Sequence, residues 1–186
     1  MNEVIKNIQA RRSIRFFDDT PVKDEDIQTM LECAKIAPSA MYQQPWHFTV
    51  LRDRVLMAEI TAVNKEIALA SGIPHEVEKA KDPNFDSFRT AKTVIVISAK
   101  DDVEYAMGDC ANTAMIITLV ATSLGLGSCY LAGFNHALRR PEGKDFCARL
   151  KVPEGHTPLF AVSLGYTAEQ PKVRKPLKPD SVNYIG

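Results

Sequence analysis

An excess of charge of either sign is missing from this 186-residue sequence, in which Lys+Arg and Asp+Glu number 23 each. A neutral chain has no basic field to gather nucleic acid non-specifically, so any work done by positive charge must be local. Paired cysteines are missing too. Cys33, Cys110, Cys129 and Cys147 form no C-x-x-C, and no histidine stands at metal-ligand spacing from them. That excludes the common zinc arrangements and reads as small buried thiols in a reducing, cytoplasmic setting. The N-terminal "MNEVIKNIQA" lacks the apolar core of a signal peptide. The longest apolar stretch, "AMIITLVATSLGLG" from Ala114, is shorter than the roughly 20 residues of a membrane span. No membrane partner is therefore expected. "SLGLGSCYLAGF" (123–134) has a G-x-G but no complete dinucleotide fingerprint. No G-x-S-x-G elbow supports a Ser128 or Cys129 nucleophile with His136, so hydrolysis has little to stand on.

What is present is ordinary globular composition, 45% hydrophobic and 25% charged, at a length that suits one domain over 1–186. Helical spacing appears in 2–9 (Val4, Ile5, Ile8) and from Asp24, taken as an N-cap, through Ile27, Met30, Leu31 and Ala34, stopping before Pro38. A helix is predicted over 54–70, a nearly all-apolar one over 104–123, and short helical structure near 136–150. "HFTVL" (47–51), "TVIVISA" (93–99) and "LFAVSLGY" (159–166) read as strands, the second apolar on both faces. Residues 73–89, polar and holding Pro74 and Pro83, read as a mobile surface excursion. The proline-rich tail, about 167–186, reads as an extended arm. The class is α+β, with helices flanking a mixed or antiparallel sheet.

Three stretches invite chemistry. In "RRSIR", Arg11 and Arg15 share a face in helix or strand, and Ser13 joins them only if the chain is extended. A cationic cap on the first helix would explain one or two arginines. Three with a serine suit a bidentate grip on phosphate or another planar anion. A second basic cluster lies in the tail, and two clusters on a neutral chain point to a shared anionic ligand. "APSAMYQQPWHF" (37–48) sets small residues, which let a flat ligand approach the backbone, beside Gln43 and Gln44; Trp46 reads as a core plug. After Gly125, a tight helix-to-strand turn, Ala132-Gly133 could present backbone N–H groups.

Taken in order, "RRSIR", "APSAMYQQPWHF", "GLGSCYLAGF" and "LGYTAEQPKVRKP" resemble the compact, single-domain branch of the nitroreductase family of FMN-dependent oxidoreductases. The resemblance implies a homodimer with FMN at the interface, the long helix in the dimer core and the C-terminal arm wrapping the partner. It implies FMN ligands at Arg11, Arg12, Ser13 and Arg15. Pro38, Ser39 and Ala40 would come from the other subunit and lie against the ring. Gln44 would be near it, with Asn64 at the pyrimidine, Ala132 and Gly133 at the N5/O4 edge, and Lys172 and Arg174 at the phosphate. NADH or NADPH would be the donor and a nitroaromatic, quinone or other small molecule the acceptor, with no side chain needed as acid or base. Tyr42 replaces an asparagine common in the family. The alternatives are a relative that uses FMN for dehalogenation or enal reduction, and a non-enzymatic phosphate or nucleic-acid binder.

Overall fold

The computed structural model describes residues 2–141, 143–169, 171, 173–179 and 181–186. Helix α1 (Glu3–Ala10) is capped by Asn2, whose Oδ1 accepts from the Ile5 N–H at 3.0 Å. Helix α2 (Asp24–Lys35) buries Ile27, Met30 and Ala34, the face that periodicity predicts. Lys23 rather than Asp24 takes its cap position. Asp24, Glu25 and Asp26 then fill the first turn, where the helix dipole favours carboxylates. Helix α3 (Arg54–Ala70) starts from Asp53, which accepts from the Val55 and Leu56 N–H groups.

Four strands, β1 (Trp46–Leu51), β2 (Thr93–Lys100), β3 (Gly127–Leu131) and β4 (His156–Gly165), form one sheet in the order β1-β2-β4-β3. Every pairing is antiparallel, which resolves the expectation of a mixed or antiparallel sheet. Strand β2 is buried from Thr93 to Ala99 because both faces are covered. Ile95, Ile97 and Ala99 pack with residues of α2 and of α5 (Ala106–Ser123), while Val94 and Val96 pack with Leu56, Met57 and Ile60 of α3. Trp46, expected as a core plug, is only half-buried: it packs against the first of these clusters from its margin. Strand β4 begins three residues before the predicted 159, through Pro158. Proline is tolerated there because β3 pairs with β4 only from Ala161 onward, so no neighbouring strand on that side needs the missing N–H.

Residues 73–89, expected as a surface excursion, remain largely at the surface but carry a short helix, α4 (Pro74–Ala80), and bury Ala80 and Phe88. Arg89 and Thr90 both take left-handed backbone, with φ of 59° and 62°. The region predicted helical near 136–150 divides into a single 3₁₀ turn, Ala137–Arg139, and helix α6 (Gly143–Arg149).

The end of α5 decides where the candidate site lies. Gly125 has φ +75° and donates to the Thr122 carbonyl, while the Leu126 N–H donates to the Ala121 carbonyl at 2.8 Å. This pair of bonds is a Schellman stop, which needs a residue at ease in left-handed backbone. It turns the chain straight into β3.

Candidate active site

"RRSIR" is extended. Ser13 bridges Ser128 of β3 in parallel fashion, and the Ile14 N–H donates to the Ser128 carbonyl at 2.9 Å. An extended chain puts Arg11, Ser13 and Arg15 on one side, and these three with Arg12 line a cavity of about 220 Å³. The opposite wall of that cavity is the arm, through Glu169, Pro171 and Arg174. The two ends of the polypeptide therefore meet. One Glu169 carboxylate oxygen accepts from the backbone N–H groups of Arg15 (3.0 Å) and Phe16 (3.1 Å). Arg174 Nη2 donates to the carbonyls of Gln9 (3.1 Å) and Arg11 (3.3 Å), capping the C-terminal end of α1 from the tail. Lys172 lies outside the described residues.

Close approach of backbone makes this arrangement possible. Gly127 and Gly165 face each other across β3 and β4. A Cβ on Gly127 would stand 3.1 Å from Ile14 Cγ2, and one on Gly165 would stand 2.9 Å from Phe17 Cδ1. The missing side chains are what let residues 14–17 lie on the sheet.

Arg15 also lines a second cavity, of about 150 Å³, together with Lys79, Arg89, Cys129, Ala132 and Gly133. Three cations thus face one hollow floored by strand residues. Arg89 Nε is buried and has no hydrogen-bond partner among the described residues. An orphaned buried donor of this kind marks a place built for an acceptor. Burial first, and then the charge of Arg89, holds the Lys79 amine below its ordinary pKa. Burial pushes the Cys129 thiol up, so it is a neutral wall and not a nucleophile. Lys79 and Arg89 were not found by sequence reasoning. Both fall in the polar stretch 73–89, where a cation looks like any solvated charge until the chain folds.

Asn64 is buried and hydrogen-bonded at both ends of its amide. Its Nδ2 donates to the Phe134 carbonyl (2.6 Å) and Ser87 Oγ (3.0 Å), and its Oδ1 accepts from the Ala137 N–H (2.8 Å). It braces the turn after Ala132-Gly133. Residues 38–42 are held elsewhere. The Ala40 N–H donates to both oxygens of Asp109, in the first turn of α5, at 3.2 Å, and Asn112 Nδ2 donates to the Pro38 carbonyl. Met41, Tyr42 and Gln44 all have positive φ there. Pro38, Ser39, Ala40 and Gln44 therefore stand at the start of α5, while the arginines stand beyond its end. Eighteen residues separate the two ends, roughly 27 Å of helix. One chain does not bring these two halves of the expected site together.

The architecture defines a class: an α+β chain whose two ends line one basic cavity next to a second cationic hollow at the edge of the sheet. The sequence pattern of the nitroreductase family matches residues 8–166, and the chain belongs to that family. It is 30% identical to a nitroreductase of Bacteroides fragilis NCTC 9343 crystallised with bound FMN, with all of both chains covered and a TM-score of 0.89. A nitroreductase of Desulfitobacterium hafniense DCB-2, also with bound FMN, is 28% identical over all of both chains with a TM-score of 0.91. The oxygen-insensitive NADPH nitroreductase of Salmonella typhimurium is 26% identical, over 98% of this chain and 73% of that protein. Among the described residues no helix is long and apolar enough to cross a membrane.

Proposed function

We propose that this chain is an FMN-dependent, NAD(P)H-oxidising oxidoreductase of the nitroreductase type that reduces small acceptors such as nitroaromatics or quinones. The observation that carries the reading is the convergence of Arg11, Arg12, Ser13 and the C-terminal arm on one cavity that shares Arg15 with the hollow beside Ala132-Gly133. A phosphate and a planar ring joined by a short chain call for this pair of adjoining cavities. The residues fit the cofactor: an anion cradle at one end, an orphaned Arg89 donor at the other, and small residues between them.

FMN, when bound, accepts a hydride from a reduced nicotinamide and returns the electrons to an acceptor. The chain's own work is binding and electrostatics. Arg11, Arg12 and Ser13 hold the phosphate, which carries nearly two negative charges, with Arg174 of the arm lining the same cavity. Arg15 turns its charge toward the ring cavity, where it favours electron uptake. Ala132 and Gly133 offer backbone N–H groups, steadied through Asn64. Pro38, Ser39, Ala40 and Gln44 close the cavity from a second subunit. The separation across α5 supports that dimeric arrangement. So does α1, which buries none of its residues although Val4, Ile5 and Ile8 form an apolar stripe. No residue here is assigned as acid or base, since positioning of the two reactants supplies much of the rate.

The test is direct. The purified protein is expected to take up one FMN per chain, turn yellow, and bleach with NADPH or NADH without oxygen. Protein that binds no FMN, or bound flavin that neither nucleotide reduces, overturns the reading.

A further inference from the structure

A third cavity, of about 170 Å³, continues from the ring hollow, sharing Lys79, Phe85 and Gly133 with it. Its floor is apolar, from Ile67, Ala68 and Phe85, and its rim is polar. His75 and Lys79 lie four residues apart on α4, so they share a face. His136 comes from the opposite wall; the place a Gly133 side chain would take is 3.6 Å from its Nε2. The carboxylates here are few. Glu76 lines the same cavity, and Asp86 lines the adjoining one. Asp86 is already engaged, accepting from the Phe88 and Thr90 N–H groups at 2.8 and 2.7 Å. Lys79 lines the ring hollow beside Arg15 and Arg89, so cations outnumber free carboxylates where the two cavities meet.

We propose that this cavity seats the electron acceptor and that Lys79 reads a carboxylate on it, making this a reductase that favours anionic aromatic acceptors over their neutral analogues. The inference rests on the flavin reading above, which places the reacting ring beside Gly133. An apolar floor takes an aromatic ring by burial, while a lysine at the rim attracts a carboxylate without demanding bidentate geometry. His75 and His136 supply further donors to the same group.

The experiment compares two matched pairs of ligands on the FMN-loaded protein. Binding of benzoate and benzamide is followed by calorimetry, and reduction of 4-nitrobenzoate and 4-nitrobenzamide is followed as kcat/KM. Benzoate is expected to bind, and 4-nitrobenzoate to react, roughly five- to tenfold better than its amide. Lys79→Gln is expected to bring both ratios close to one, and Lys79→Arg to keep them well above one. Equal handling of acid and amide by the wild type overturns the proposal. So does a Lys79→Gln protein that weakens both members of each pair alike, because that outcome would place Lys79 on the cofactor instead. FMN content, read from the visible spectrum of each variant, separates the two levels of the argument. A wild type that binds no FMN overturns the flavin reading, and a flavin-replete wild type blind to the carboxylate overturns this inference alone.

Discussion

At the scale of single residues, Arg15 is the pivot. Among the described residues it is the one side chain shared by the cradle at the chain ends and the hollow next to Gly133. Its backbone is fixed by Glu169, and its Nη1 donates to the Ser13 carbonyl at 3.3 Å. The remaining guanidinium hydrogens are available to a ligand. Arg15→Ala is expected to weaken FMN binding roughly tenfold, about 1.4 kcal/mol, measured by quenching of flavin fluorescence. Arg15→Lys, which keeps the charge but not the fork, is expected to lie between. Wild-type affinity in Arg15→Ala would remove Arg15 from the site. The arginines were legible in the sequence because five residues with three guanidinium groups stand out on a neutral chain. Lys79 and Arg89 were not, because their significance comes from folding. Lys79 reaches the hollow from α4, and Arg89 from a left-handed turn with Thr90 that no glycine announces.

At the scale of elements, periodicity made most of the fold legible. The bounds of α3 match the predicted 54–70, and α2 buries Ile27, Met30 and Ala34 of the four residues its spacing marks, with Leu31 half-buried beside them. Strand β2 was legible as doubly covered because alternate residues serve two different cores. The helix within 73–89 was not legible, since two prolines and a polar composition hide its seven residues. Nor did the sequence reveal that residues 13–17 would lie on β3 and β4, which depends on two glycines meeting across strands. That contact can be tested. Gly165→Ala would put a methyl group 2.9 Å from Phe17 Cδ1 and 3.0 Å from Phe17 Cβ. Overpacking of this kind costs about 1–3 kcal/mol, so a lowered Tm is expected together with weakened FMN binding as residues 13–17 lift. Phe17→Ala in the same chain is expected to restore part of both, because residues in contact couple. Loss of stability with unaltered flavin binding would mean that this contact does not set the position of the arginines.

At the scale of the whole molecule, a single chain leaves too much undone. The apolar side chains of the arm lie bare: Val173 is 92% exposed, Leu177 82%, Tyr184 95% and Ile185 99%. Helix α1 shows solvent its apolar stripe, and α5 adds exposed Met107 and Met115. Covering such surface is the main driving force for association. The parts assigned to one cofactor meanwhile stand at opposite ends of α5, a gap that a second copy would close in both directions at once. Dimerisation and flavin binding should then be linked, each favouring the other by mass action. Ending the chain at Pro171 keeps Glu169 but removes Arg174 and the apolar arm. The shortened protein is expected to sediment as a monomer at micromolar concentration and to lose nearly all its FMN. Full-length protein diluted until it dissociates should release flavin over the same concentration range. A flavin-replete monomer, in either experiment, would show that one chain holds the cofactor alone, and the roles given to Pro38, Ser39 and Ala40 would fall with the dimer.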